Sequence, residues 1–186
     1  MTEQTLGFGS KIGQIFQTAY VVQDIRAAID WWVNDCKVGP WFLLDSFKYP
    51  EQRYRGESTE ADTAVAMSFA GNKNIELVQV RDNNPSVFRE IIQRRGYGFH
   101  HIGIAVEDVE AERATYIKRG YHVAYSTPVP SGGTVYIMSD GLMGDGFNAP
   151  GFVELVPVTR GMDEMFTRFW RASVDWDGID PIRPFG

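Results

Sequence analysis

The sequence has a single cysteine, Cys36. No intrachain disulfide is possible, and nothing points to an oxidising compartment. No apolar run approaches the roughly 20 residues that a membrane-spanning helix needs. Positive charge is in short supply: 18 Lys and Arg stand against 24 Asp and Glu, a formal net charge of −6. The basic residues occur in pairs such as Arg94-Arg95 and form no stripe, which argues against a nucleic-acid surface. Residues 1–10 are polar, with no apolar segment behind a basic start, so they do not read as a signal peptide. The expected location is the cytoplasm. The glycines of residues 141–151 do not lie between a strand and a helix. A dinucleotide-binding loop is therefore excluded, and the stretch reads as a long loop. What remains is a globular chain of 186 residues, long enough for one sizeable core or two fused modules.

The chain resembles itself. Phe16-Gln17-Thr18-Ala19-Tyr20-Val21-Val22-Gln23-Asp24 lies over His100-His101-Ile102-Gly103-Ile104-Ala105-Val106-Glu107-Asp108 at a constant offset of 84. Each segment reads as a strand entering a helix, with the Asp at the N-cap. Ile25, Ala28, Ile29, Trp32 and Val33 form the apolar stripe of the first helix. The second helix starts near Val109 and stops at Gly120, and Gly39 ends the first unit in a similar way. Two matching segments close the halves: Ile75-Glu76-Leu77-Val78-Gln79-Val80 and Val153-Glu154-Leu155-Val156-Pro157-Val158. Residues 41–47, 63–69, 122–126 and 134–138 supply two further strands in each half. The expected fold is α+β: two tandem βαβββ modules forming a curved, cleft-containing mixed sheet with helices outside. The first module covers residues 11–82 and the second 99–160. Between them, residues 83–98 carry a linking helix with Pro85 at its first position and Gly96 at its end. Residues 161–186 hold an amphipathic helix, marked by Met162, Met165, Phe166, Phe169 and Trp170, and then a tail. That stripe reads as core or as dimer contact.

Side chains alternate along a strand. His101, Gly103 and Ala105 should share one face, and Gln17, Ala19 and Val21 the matching one. The small residues suit a concave surface where a ligand needs space. His100 should point the other way, to packing or the surface, and His122 to the surface. Glu76 and Glu154 each interrupt an apolar strand, where an unpaired ionised carboxylate would be costly. Taken singly, such a Glu is usually solvated or salt-bridged, and a lone His is usually a packing residue. The symmetric placement is what sets Gln17 with Glu76, and His101 with Glu154, apart. If the repeats pack about a pseudo-twofold axis, all four converge. Two carboxylates, one imidazole and one amide oxygen make a mixed N/O set for one divalent ion, leaving two positions for water or substrate.

With these residues on view, the chain resembles the glyoxalase/bleomycin-resistance/dioxygenase (vicinal oxygen chelate) superfamily over roughly residues 11–158. The middle is most similar to methylmalonyl-CoA epimerase, through Ile75-Glu76-Leu77-Val78-Gln79, Pro85-Ser86-Val87-Phe88 and Arg95-Gly96-Tyr97-Gly98-Phe99-His100-His101-Ile102. The set Gln17, Glu76, His101 and Glu154 is similar to that of glyoxalase I enzymes. The resemblance implies one divalent metal ion (zinc, nickel, cobalt, manganese or magnesium, with ferrous iron disfavoured) held by these four. It also implies a small-molecule substrate, a homodimer, and an enolate stabilised by the metal while a carboxylate moves a proton next to a carbonyl. Glu154 is the first candidate for that base and Glu76 the second. The chain departs from the epimerase at Gln17, where the epimerase has a His. It departs again at residues 57–62, whose acids give no clear match to the epimerase's second Glu.

The function expected is a metal-dependent isomerase, epimerase or lyase acting on an acyl-thioester or 2-oxo compound. The alternatives are a ferrous dioxygenase of the same superfamily, which needs two His and a carboxylate, and a metal-free binding protein of the resistance type. Trp31, Trp32, Trp41, Phe42, Tyr54 and Tyr136 are candidates to line an apolar cleft. For Trp32 a core position is favoured. Arg94-Arg95 ends a helix, where cations are favourable anyway; gripping CoA phosphates is the minority reading.

Overall fold

The computed structural model of the chain describes residues 4–140 and 151–186; the expected loop at 141–150 lies outside them. Among the described residues, eleven strands and four helices follow one another. The first half contains β1 (Ile15–Val21), α1 (Ile25–Asn34), β2 (Trp41–Phe47), β3 (Arg53–Tyr54), β4 (Glu57–Ser58), β5 (Thr63–Ala70) and β6 (Lys73–Val80). Next come α2 (Val87–Arg95), β7 (Gly98–Val106), α3 (Val109–Lys118), β8 (His122–Pro128), β9 (Thr134–Ser139) and β10 (Phe152–Pro157). The chain ends with α4 (Arg160–Ser173) and β11 (Ile182–Pro184). One mixed sheet holds all the strands in the order β11-β2-β5-β6-β1-β7-β10-β9-β8-β3-β4.

The repeat explains the order. The two first strands, β1 and β7, pair antiparallel at the centre, and each closing strand runs parallel beside its own first strand: β6 by β1 and β10 by β7. The N-cap residues match too. Asp24 accepts from the amides of Arg26 and Ala27, and Asp108 from that of Ala111. α1 buries Ile25 and Ile29 on one side of the sheet over Ile75 and Leu77. Val109 and Tyr116 of α3 pack over Leu155 and Val106 on the same side. On the other side lie two further apolar clusters. One joins α2 to Val21, Val78, Tyr125 and Phe152. The other joins α4, through Met162, Phe166 and Phe169, to Phe16, Phe42, Val65 and Val156. The stripe on α4 is therefore core of the same chain. By area alone, burying side chains of this size contributes about 1.5–3 kcal/mol each.

Several expectations need correction. α2 begins at Val87, not at Pro85, because the Ser86 hydroxyl accepts from the Arg89 amide and takes the N-cap. The helix does end at Gly96, whose φ of 83° suits glycine. Gly39 does not end α1, which stops at Asn34. Its backbone lies flat against the Trp176 indole, leaving no room for a Cβ. Two short elements went unforeseen. The tail returns as β11, parallel to β2. The hairpin β3–β4 leaves the first module and pairs with β8 at the far end of the sheet. No helix among the described residues is long and apolar enough to cross a membrane.

Candidate metal centre

Strand register alone gathers the four polar residues. Across the centre of the sheet, Glu76, Ala19, His101 and Phe152 form one row of neighbours on β6, β1, β7 and β10. The adjacent row is Asn74, Gln17, Gly103 and Glu154. A rotation by the internal repeat carries one row onto the other. Each row has a small residue, Ala19 or Gly103, on a central strand, so larger side chains from both sides lean over it. The space above Gly103 belongs to Gln17 and not to a ligand: a Cβ there would stand 2.5 Å from the Gln17 Oε1 and 2.9 Å from its Cβ.

Gln17, Glu76, His101 and Glu154 all line one cavity. His101 Nε2 stands 3.2 Å from Glu76 Oε2 and 3.4 Å from Glu154 Oε2. One donor atom from each of Glu76, His101 and Glu154 lies within 4.8 Å of the others. The distances suit an ion pair, yet neither Glu76 Oε2 nor His101 Nε2 completes a well-aligned hydrogen bond. The Gln17 Oε1 is also buried without a partner, because its Nε2 donates to Asn74 Oδ1 at 3.0 Å and fixes the amide. Asn74 in turn donates to the Ser68 carbonyl. Three buried lone-pair atoms without aligned partners, on residues with metal-ligand chemistry, fit a divalent cation. Without a cation, the cluster holds a proton. Burial alone would lower the His101 imidazolium, but the charges of Glu154 and Glu76 outweigh it and raise it to about 10. Burial also raises Glu76, against the pull of His101.

His100 is where strand parity fails. Ala19 faces His101 and Tyr20 faces Phe99, so His100 is the extra residue of a β-bulge. It turns to the same side as His101 and is fully buried against Phe88 and Phe152. Its repeat mate Phe16 is likewise the extra residue between Ile15 and Gln17. His122 lies exposed, as expected.

None of the aromatics proposed for the cleft lines the cavity. Trp32, on α1, packs against Trp41, Trp31 is exposed, and Phe42 stacks on Phe169. Tyr54 donates to Glu90 and Tyr136 to Glu110. The walls come instead from residues such as Phe47, Phe88, Val135, Phe166 and Phe185. Arg94 turns to Glu90, and neither Arg94 nor Arg95 reaches the cavity. No acid of residues 57–62 lines it either. Tyr125 and Asn74 carry no signal in the sequence; only the register of their strands marks them.

Residues 16–137 match the family model described as Glyoxalase/Bleomycin resistance protein/Dioxygenase superfamily. No curated protein matches the chain. Among solved structures, a hypothetical protein from Bacillus halodurans is similar at 20% identity and a TM-score of 0.55, covering 78% of this chain and 94% of its own. Methylmalonyl-CoA epimerase from Mycobacterium tuberculosis is similar at 17% identity and a TM-score of 0.56, with 86% and 94% covered. A Streptomyces coelicolor methylmalonyl-CoA epimerase in complex with 2-nitronate-propionyl-CoA gives 16% and 0.52, with 80% and 99% covered. At such identities the likeness establishes a shared fold.

Proposed function

The chain belongs to the glyoxalase/bleomycin resistance protein/dioxygenase superfamily, and from that premise we propose that it is a divalent-metal-dependent isomerase, epimerase or lyase that moves a proton on a carbon next to a carbonyl. The observation that carries this is the convergence of Glu76, His101 and Glu154 on one point of a cavity, with the unpartnered Gln17 Oε1 beside it. Gln17, Glu76, His101 and Glu154 would hold the ion. When bound, it supplies Lewis-acid stabilisation of negative charge developing on a substrate oxygen.

The rest is the work of the side chains. In this reading Glu154, whose side chain is 13% exposed at the cavity wall, takes a proton from substrate carbon and returns it. Glu76 stands on the other side of His101, on β6 where Glu154 is on β10. It is the second carboxylate that can exchange a proton with the substrate. Among the described residues no other acid lines the cavity. Asn74 holds the Gln17 amide with its oxygen free. Apolar walls exclude water from the reacting carbon.

A ferrous oxygenase needs two His ligands beside a carboxylate. Here the second imidazole, His100, faces His101 Nδ1 and the Val87 carbonyl. The donor set therefore favours proton transfer over oxygenation. Elemental analysis after loading with zinc, nickel, cobalt or manganese tests the reading, together with exchange of substrate C–H in deuterated water. One ion per chain is expected, lost in His101→Ala, with exchange lost in Glu154→Ala. Protein that takes up none of these ions would favour a metal-free binding role and defeat the proposal.

A further inference from the structure

The cavity wall shows what the substrate must look like. Beyond the cluster itself it is hydrocarbon and aromatic: Leu44, Phe47, Met67, Val135, Met165 and Phe185 are typical. Met165, Phe166 and Phe185 come from α4 and the tail, outside the stretch that the family model matches. Among the described residues, not one Lys or Arg lines it. The wall's few hydroxyls are partly committed, Tyr125 donating to Gln52 Oε1 and Thr127 to the Pro128 carbonyl.

An anionic group entering this space would meet two carboxylates, Glu76 and Glu154, and no basic side chain other than His101. A divalent ion would be matched in charge by the same two carboxylates, leaving no excess positive charge to offset an anionic group. Burying an uncompensated carboxylate is far costlier than burying a ketone. From this we infer that the substrate is an uncharged, largely apolar compound that presents a ketone, not a carboxylate or a phosphate, to the cluster. This rests on reading the site as one for proton transfer next to a carbonyl, and narrows it. Among the described residues, the wall lacks the anchors that a carboxylate or a phosphate needs.

A matched pair of probes tests it. 1-Hydroxy-1-phenylpropan-2-one and mandelate share a phenyl group and a hydroxyl-bearing carbon; one ends in a methyl ketone, the other in a carboxylate. Calorimetric titration of metal-free and zinc-loaded protein should show the ketone binding at least about tenfold more tightly in both. Val129, half-buried at the cavity wall, offers a control of location: Val129→Trp should abolish ketone binding and leave the melting temperature in place. Mandelate binding as tightly as the ketone, no ketone binding, or full binding to Val129→Trp would each overturn the inference. Proton exchange of the bound ketone in deuterated water is read separately. Ketone binding without exchange supports the substrate class while counting against the catalytic reading.

Discussion

His100 and His101, consecutive in the chain, face each other Nδ1 to Nδ1 at 2.8 Å. Two nitrogens so close must be one donor and one acceptor. The His100 Nε2 lies 3.4 Å from the Val87 carbonyl, which can only accept, so His100 carries its proton there and presents a lone pair at Nδ1. His101 must then hold its proton on Nδ1, leaving Nε2 turned to Glu76 and Glu154 for a metal. Burial and the neighbouring His101 charge keep His100 well below the usual imidazole range, hence neutral. His100→Phe should preserve the packing against Phe88 and Phe152 while removing this acceptor. Metal affinity should fall about 10–100-fold, read by competition with a chromophoric chelator, with the melting temperature nearly unchanged. Unaltered affinity would show that the bulge serves packing alone.

Gly103 should be intolerant of even one methyl group. In Gly103→Ala the new Cβ would stand 2.5 Å from the Gln17 Oε1, and overpacking of this kind costs about 1–3 kcal/mol. The melting temperature and the metal affinity should both drop. Adding Gln17→Ala removes the contact with Oε1 but keeps a Cβ 2.9 Å from the new methyl, so it should restore only part of the stability, while metal affinity stays low because the amide oxygen is gone. Metal affinity fully recovered in the double variant would exclude Gln17 from the site.

The contrast between these two residues shows what the sequence carries and what it does not. Gln17, Glu76, His101 and Glu154 are legible because the repeat places polar residues at equivalent positions in apolar strands, and the strand period then puts them on one face. The same period puts His100 on the wrong face. A bulge adds one residue to a strand without any composition signal, and it reverses every inference from parity at that point. The cavity walls were harder still. Phe185 follows an exposed proline-containing tail, and the β3–β4 hairpin consists of two-residue strands, too short for a periodicity to register. The aromatics that meet in the cavity come from β2, α2, β8, α4 and the tail, far apart in the sequence.

Metal-free protein should become less stable as pH rises. The His101 imidazolium is raised from 6.5 to about 10 in the folded state. Its contribution is therefore complete below pH 6.5 and is lost as pH climbs through about 10. Glu76 acts in the same direction, since burial raises it above 4.5 and ionisation in the metal-free cluster is unfavourable. Urea midpoints at pH 6, 8 and 10 should decline in metal-free protein, and the decline should flatten in His101→Ala. Metal affinity should show the opposite trend, rising with pH because the ion must displace that proton. A midpoint in wild type that is flat or rising across this range would contradict the proton held between the two carboxylates.

The hairpin that bridges the ends of the sheet depends on Glu90 of α2. Its carboxylate accepts from the Tyr54 hydroxyl at 2.9 Å and from Arg55 at 3.0 and 2.7 Å, with Arg94 at 3.5 Å. Burial would raise Glu90, but the bonds from Arg55 and Tyr54 outweigh it and hold it below the usual range. Stability from this group is thus present above the ordinary carboxylate value of 4.5 and lost as pH falls through the lowered one. Glu90→Gln should cost about 1–3 kcal/mol at neutral pH, moderated by solvent because Arg55 is 41% exposed. Wild type and variant should converge in acid. Release of the hairpin should also speed hydrogen exchange at the Arg55 amide, which donates to the Ala124 carbonyl, and loosen Tyr125, which pairs with Tyr54 across the strands and lines the cavity. Equal stability at pH 7 with the Arg55 amide still protected would mean that backbone pairing to β8 alone holds the sheet's two ends together.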